Sequence, residues 1–525
     1  MRHLGACCTA LLALAVASPA HAAKVGVAPT VPGVVDLMAL RGHPDALVQV
    51  PRGRRVPGAE LVSRRLGIWR MPSSRAQRVA LGLRPLAIEP DRELVPQRAS
   101  AEPFAELEWW RAAVGADQAT PPGPGKRVTV VDTGLDIRHP EFAGRPNTTL
   151  LNVQSTTGSD DEAHGTAVSS VLAAPENGIG LVGIYPQAQL AEWDSGPMFV
   201  SDVIQGIDRA LDAGPGVINM SFGFDGYDRL LAEEVDVAFG DGSLLVAAAG
   251  NDFLAGNAVH SPAALPHVLT VAATNEQNAP SSFSNRSQAV DLAAPGENIP
   301  VAVPTWLDPS GYSAADGTSF AAPMVSGAAA WVWTRRPELD VTQLFDLMRW
   351  SAKDVGPPGF DEATGWGLLN VPAALADSAP PVDPGEPNDD VDQIVRGRLF
   401  RNSDAPLTAP GHNRASVTAR LDFTKDPEDV YRVWVPAQSR ASIRVTASAD
   451  VNVELWNATT PSVLVTGAAR RTHLLAGSSS GGTDHPETVA FRNRLRRGTF
   501  VYLDVYLTER GAPAAQYRAT IATTR

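Results

Sequence analysis

The chain has 525 residues, of which 44% are apolar and 19% charged, and a formal net charge of −13. That length admits two or three domains with sizeable cores, and the acidity excludes nucleic acid as a general partner. Cys7 and Cys8 are its only cysteines, so a chain processed after residue 22 has no disulfide to lean on.

Residues 1–22 read as a secretory signal. Arg2 and His3 precede the apolar run 10–17, and Ala20-His21-Ala22 fits a small-x-small cleavage site. The run is too short to anchor the chain in a bilayer, so a secreted, extracellular protein without a membrane anchor is expected. Residues 23–100 carry 13 Lys+Arg against 6 Asp+Glu, a basic segment ahead of an acidic body, which suggests electrostatic docking between them. Within it, strands are expected at 47–50, 78–81 and 86–89, and a helix opening at Pro57 over 57–62.

From Lys126 the rhythm changes to alternating strands and helices. Strands are expected at 127–131, 217–220, 244–248 and 268–272, and helices at 164–174 and 203–213. This is the pattern of an α/β domain with a mostly parallel sheet and helices on both faces. Such a sheet places its site beyond the carboxyl ends of the strands, where Asp132, Ser221 and Asn251 fall. The run Gly317-Thr318-Ser319-Phe320-Ala321-Ala322-Pro323 puts a serine at the mouth of a helix of small residues. Gly317 allows the turn, Thr318 and Ser319 suit the cap, and Pro323 is tolerable only near the start. Residues 379–390 are rich in Pro and acid and read as a semi-stiff linker. Beyond them, alternating runs at 430–435, 442–445, 451–455 and 500–505 indicate an antiparallel β-sandwich over 391–525.

Acyl transfer by serine needs a hydroxyl, an imidazole to take its proton, a carboxylate to orient the imidazole, and donors for the oxyanion. Asp132, His164 and Ser319 offer the first three and Asn251 a side-chain amide. Taken singly, each has an ordinary reading: strand-end turn, helix-start histidine, capped core helix, turn residue.

Together, Val130-Val131-Asp132-Thr133-Gly134-Leu135-Asp136, His164-Gly165-Thr166, Ala248-Ala249-Gly250-Asn251 and the Ser319 segment resemble the subtilisin-like serine proteases, over roughly 104–376. Ile218-Asn219-Met220-Ser221-Phe222-Gly223 and Ser261-Pro262-Ala263 add weaker matches. The resemblance implies Ser319 as nucleophile, His164 as general base, Asp132 as its orienter and Asn251 as oxyanion donor. It implies that Ser221, Phe222 and Gly223, with Ala249 and Gly250, bind an extended protein or peptide substrate. It also implies a structural calcium at Glu141, Asn177, Ile179 and Leu181, with no cofactor for catalysis; Glu141 departs from the family's aspartate. Ala167 stands where many members carry a second histidine. Residues 23–100 resemble an inhibitory propeptide, released near 98–101, and 391–525 resemble a pre-peptidase carboxyl-terminal domain.

The expectation is a secreted, monomeric serine endopeptidase, with residues 101–378 as its catalytic domain, made as a precursor that its own propeptide inhibits. The competing reading is a catalytically silent surface-binding module. An α/β-hydrolase would need Gly-x-Ser-x-Gly and histidine last in order; here Thr318 and Phe320 flank the serine.

Overall fold

The computed structural model describes residues 40, 44–83, 85–91, 102–154, 163–402, 405–480, 485–508 and 514–525. They fall in two compact units, 1–98 and 99–525. The expected signal segment and cleavage region lie outside the described residues.

In the first unit, strands β1 (Asp45–Gln49), β2 (Glu60–Ser63) and β3 (Ile68–Pro72), helix α1 (Ser73–Leu83) and strand β4 (Ala87–Pro90) build an α+β fold. The sheet order is β2-β3-β1-β4, with antiparallel neighbours. Ala46 and Val48 alternate inward along β1 to meet Met71, Ala76 and Ile88. Two expectations fail here. Pro57-Gly58 forms a turn, and Glu60 to Ser63 is a strand paired with β3, held by an Arg70–Glu60 ion pair at 2.7 Å. Residues 78–81 lie inside α1 rather than in a strand, because the helix formers of 75–77 run on into that short apolar stretch.

The second unit opens with the one-turn helix α2 (Trp110–Ala113). The order is then β5 (Arg127–Asp132), β6 (Thr148–Leu150), α3 (Ala163–Ala173), β7 (Gln189–Asp194), α4 (Val200–Leu211), β8 (Val217–Met220), β9 (Phe224–Asp225), α5 (Arg229–Gly240) and β10 (Leu244–Ala248). It continues with β11 (His260–Ser261), β12 (Val268–Thr274), β13 (Leu292–Pro295), β14 (Ile299–Ala302), β15 (Tyr312–Ala315), α6 (Thr318–Arg335), α7 (Val341–Trp350) and α8 (Val371–Ala376). Seven strands form one parallel sheet in the order β13-β12-β10-β8-β5-β7-β6. Strands β8, β10 and β12 are buried along their whole length, as continuous apolar runs covered on both faces require. Helix α6 packs on α3 and lies across β8, β10 and β12, and α4 packs on α5. Its small residues Ala321, Ala322, Ala328, Ala329 and Ala330 are fully buried, so the helix sits close against the sheet.

The short helix α9 (Val391–Ile394) leads into β16 (Arg414–Asp422), β17 (Glu428–Val435), β18 (Arg440–Ala447), β19 (Val451–Asn457), α10 (Gly467–His473), β20 (Leu474–Ser478), β21 (Glu487–Arg492), β22 (Thr499–Leu507) and β23 (Ala514–Thr524). Two antiparallel sheets, β16-β23-β18-β21 and β17-β22-β19-β20, share a core that includes Ile443, Tyr517 and Ile521 from one and Val433, Leu455 and Leu503 from the other.

The sandwich is seated on the α/β domain through buried charge. Lys425, 1% exposed, reaches the Ala263 carbonyl at 2.7 Å, Thr270 Oγ1 at 2.8 Å and Asp291 at 3.5 Å. Arg349 of α7 binds Asp422 at 2.8 Å and Asp346 at 2.7 Å, Arg420 pairs with Asp346, and His267 meets Asp389 at 2.8 Å. The 379–390 segment, expected to be an extended spacer, has no regular structure, yet it is fixed in place. Gln343 donates to the Pro380 carbonyl at 2.7 Å, and Asp383 accepts from the Arg420 amide at 3.1 Å.

Candidate active site

Asp132 ends β5 and is fully buried. Its Oδ1 accepts from the Thr133 amide at 2.8 Å and from His164 Nδ1 at 2.7 Å. His164 stands in the first turn of α3, whose approach to the β5 end is closed by the Gly165 amide donating to Thr133 Oγ1 at 3.0 Å. A Cβ at Gly165 would lie 2.3 Å from the Gly134 carbonyl oxygen, so only glycine permits that approach. The His164 side chain stays 32% exposed. Burial pulls its pKa down, but the charge and hydrogen bond of Asp132 outweigh that and hold it above the ordinary histidine value.

Ser319 occupies the first turn of α6. Gly317, at φ 156°, makes the entry turn and is the N-cap, so the cap expected of Thr318 and Ser319 falls one residue earlier. Thr318 instead uses both amide and hydroxyl, at 2.9 and 3.0 Å, to grip Asn251 Oδ1. With its oxygen committed, Asn251 keeps Nδ2 as a donor that makes no hydrogen bond among the described residues. A Cβ on Gly317 would come within 3.5 Å of that nitrogen. The Thr318 amide is taken by Asn251 and the Phe320 amide by the Gly317 carbonyl. The Ser319 amide has no partner within α6, and together with Asn251 Nδ2 it can receive an oxyanion.

Pro323 cannot donate to the carbonyl four residues back, which is that of Ser319. The Ser221 hydroxyl takes that carbonyl at 3.0 Å, and the Ser319 hydroxyl donates to the Ser221 carbonyl at 3.0 Å. Ser221 Oγ accepts from Asn219 at 2.9 Å, and Asn219 Oδ1 accepts from Ser326 at 2.8 Å. Asn219 and Ser326 therefore brace the loop and the helix from below, a role that needs the fold to bring β8 under α6.

Of the expected substrate segments, Phe222 and Gly223 leave β8 as coil whose backbone makes no hydrogen bond among the described residues, an edge open to an added strand. The Ala249–Gly250 stretch is more committed. The Ala249 amide donates to the Val271 carbonyl, the Gly250 amide to Thr318 Oγ1, and the Gly250 carbonyl accepts from Asn285. The positive φ falls on Gly250, at 107°, and not on Asn251.

Sequence reading missed His260. Added Cβ atoms on Gly223 and Gly250 would lie 3.1 and 2.8 Å from it, so its ring fills the space between the two segments. Its Nε2 lies 3.0 Å from Asp225 and 3.2 Å from Asp252. The pairing of β9 with β11, distant in sequence, creates this group. His139 is buried against the Gly311 carbonyl at 2.8 Å and belongs to the framework.

The calcium expectation meets a different geometry. A calcium loop turns carbonyl and carboxylate oxygens inward. Here amides point in: Gly178 and Gly180 donate to Glu102, Leu181 to Glu141 and Val182 to Glu108. Glu141 also accepts from Tyr312 at 2.9 Å and Asn177 at 3.3 Å, and Asn177 Oδ1 accepts from the Ile179 amide. The side-chain oxygens of Glu141 and Asn177 are already engaged by N–H and O–H donors, so as arranged here this pair does not fit a calcium ion. Burial, and the neighbouring carboxylates, push Glu108 up to about 7.

The subtilase family model matches residues 123–367. The chain is 33% identical over 282 residues to the minor extracellular protease Epr of Bacillus subtilis (strain 168), across 53% of this chain and 42% of that one. It is 33% identical over 258 residues to the subtilisin of Bacillus pumilus, across 48% of this chain and 91% of that one. The crystal structure of the psychrophilic subtilisin-like protease Apa1 from the Antarctic psychrotroph Pseudoalteromonas sp. AS-11 matches at 19% identity and a TM-score of 0.46, over 51% of this chain and 97% of that one. The chain belongs to the subtilase family of subtilisin-like serine endopeptidases. It spans less than half the length of Epr. No helix among the described residues is long and apolar enough to cross a membrane.

Proposed function

We propose that this chain is a secreted serine endopeptidase, made as a precursor whose residues 23–100 act as a removable inhibitor, and that it cleaves extended segments of protein substrates. The observation that carries the reading is the buried Asp132 carboxylate 2.7 Å from His164 Nδ1, with the ring of Phe320, the residue after Ser319, 6.1 Å from the His164 ring.

In the reaction the Ser319 hydroxyl leaves the Ser221 carbonyl and gives its proton to His164 Nε2 as Oγ bonds to the scissile carbonyl carbon. Asp132 fixes the tautomer that leaves Nε2 free to accept, and stabilises the imidazolium that forms. The oxyanion takes hydrogen bonds from Asn251 Nδ2 and the Ser319 amide, aided by the positive end of the helix. His164 then returns the proton to the leaving amine, and water repeats the sequence on the acyl-enzyme. The substrate backbone pairs with Phe222 and Gly223 as an added strand.

The test pairs wild type with Ser319→Ala in a chain of residues 23–525. Labelling by a fluorophosphonate probe and a mass loss near residue 100, both in wild type alone, are the expected results. A folded wild type that neither labels nor matures would overturn the reading and favour the surface-binding module.

A further inference from the structure

The charge of this chain is sorted by domain. Residues 101–390 carry 12 Lys+Arg against 39 Asp+Glu, whereas residues 391–525 carry 18 against 12. Much of that excess lies on one surface, the outer face of the β16-β23-β18-β21 sheet. Its exposed outward positions hold arginine, serine, threonine, alanine and one glutamine; the carboxylate of Asp422, also at an outward position, is buried against Arg349 of the α/β domain.

Strand register places the arginines. Arg440 stands opposite Arg492 across β18 and β21. One row further, two strands away, Arg414 aligns through Ala522 with Ser442. Arg444 comes in the next row, opposite Thr488 and Thr520, and Arg518 in the row after, opposite Thr446. All five are exposed, and none is paired with a carboxylate among the described residues. The rows run for about 20 Å at the spacing of an antiparallel strand. Like charges directly opposite one another, as at Arg440 and Arg492, weaken a sheet, so folding gives no reason for them. The face also dips into a shallow trough of 810 Å³, which Arg414, Arg440, Arg444 and Thr520 help to line. The loop leaving β21 adds Arg494, Arg496 and Arg497, all exposed.

We infer that this face docks an anionic polysaccharide, one that carries carboxylate or sulfate groups along an extended chain. Guanidinium groups bind such anions through paired N–H donors, and the intervening Ser442, Thr488 and Thr520 hydroxyls suit sugar hydroxyls. No aromatic side chain stands on the face to stack a base, as single-stranded nucleic acid requires. No large apolar side chain stands on the sheet face, and the loop beside it exposes only Leu495, too little to enter a bilayer. A strongly acidic catalytic domain would be repelled by an anionic matrix, and the sandwich supplies the attraction that holds it there.

The test uses the full chain with Ser319→Ala, to prevent self-digestion, and measures binding to dextran sulfate, polygalacturonate, neutral dextran, duplex DNA and phosphatidylglycerol vesicles. Binding to the two anionic polysaccharides, none to neutral dextran, and less to DNA and vesicles is expected. The variant R414Q/R440Q/R444Q/R492Q should weaken polysaccharide binding at least about tenfold and flatten its salt dependence, with an unchanged Tm. The charge-matched variant R52Q/R55Q/R64Q/R65Q, which alters exposed arginines of the first unit, should bind as the parent does. Equal losses in both variants, no loss in the first, or tighter binding to DNA or vesicles than to polysaccharide would each overturn the proposal.

Discussion

The Ser221 hydroxyl donates to the Ser319 carbonyl, the one acceptor in α6 that Pro323 leaves without its helical donor. The proline therefore does not simply mark a helix start. It frees the carbonyl of Ser319, the proposed nucleophile, and ties the loop after β8 to the helix. Ser221→Ala should cost about 1–3 kcal/mol by denaturant unfolding, because a buried acceptor loses its partner. Pro323→Ala restores an N–H to that carbonyl, so the double variant should lose less than the sum of the singles. Strict additivity would mean the two residues do not share the acceptor.

Under the proposed mechanism the acid limb of kcat/KM should report His164. Catalysis needs its neutral form, and Asp132 holds its pKa above the ordinary value. Activity should therefore fall as pH drops through a pKa higher than that of a free histidine. Asp132→Asn removes the charge and leaves the burial that opposes it, so the limb should move to lower pH while kcat falls by ~10⁴, the loss seen for the equivalent change in the serine-protease template. An acid limb that does not move would detach it from His164.

Lys425 carries a buried positive charge from the sandwich into the α/β domain. Its own pKa is lowered by burial, against the pull of Asp291 and Asp422. Lys425→Met leaves Asp291 with Arg349 alone and should destabilise the protein by about 3–5 kcal/mol. Adding Asp291→Asn should recover part of that loss, because the stranded charge goes with it.

The parts of this molecule that were legible in sequence are those whose signal is local. The apolar strands β5, β8, β10 and β12 and the helices α3 and α4 announce themselves by runs and periodicity. Asp132, His164, Asn251 and Ser319 stand in short segments with a fixed backbone task. What stayed hidden depends on distant chain. His260 acquires Asp225 only when β11 pairs with β9, and Asn219 meets Ser326 only when α6 crosses β8. The loop around Asn177 has a calcium-like pattern, yet Glu102, some 75 residues upstream, turns its amides inward. The 57–62 and 78–81 segments failed because stretches that short suit helix and strand equally, and neighbouring residues decided.

If calcium does not sit on that loop, removing Asn177 should not change how the protein responds to it. Thermal unfolding of wild type and Asn177→Ala, with calcium or with a chelator, should show the same difference in Tm between the two conditions. A calcium-dependent gain present in wild type and lost in Asn177→Ala would show that the loop can turn its oxygens inward and bind the ion.

The last expectation concerns pH and the seat of the sandwich. Burial, with Asp389 nearby, raises Asp236 to about 7, and burial with neighbouring carboxyls raises Asp383 and Glu428 as well. A carboxyl whose folded pKa exceeds its unfolded value binds more protons when folded. It adds stability as pH falls through the folded pKa and removes it as pH rises. His267, which Asp389 holds above the ordinary histidine value against burial, has the same sign. The Ser319→Ala protein should therefore unfold at a higher temperature near pH 5.5 than near pH 8.5. Asp236→Asn, which cannot ionise, should flatten that slope and gain most at the alkaline end. A Tm that climbs from pH 5.5 to 8.5 would mean these carboxyls are ionised in the fold at low cost, and that the seat is held by its cations more firmly than its burial implies.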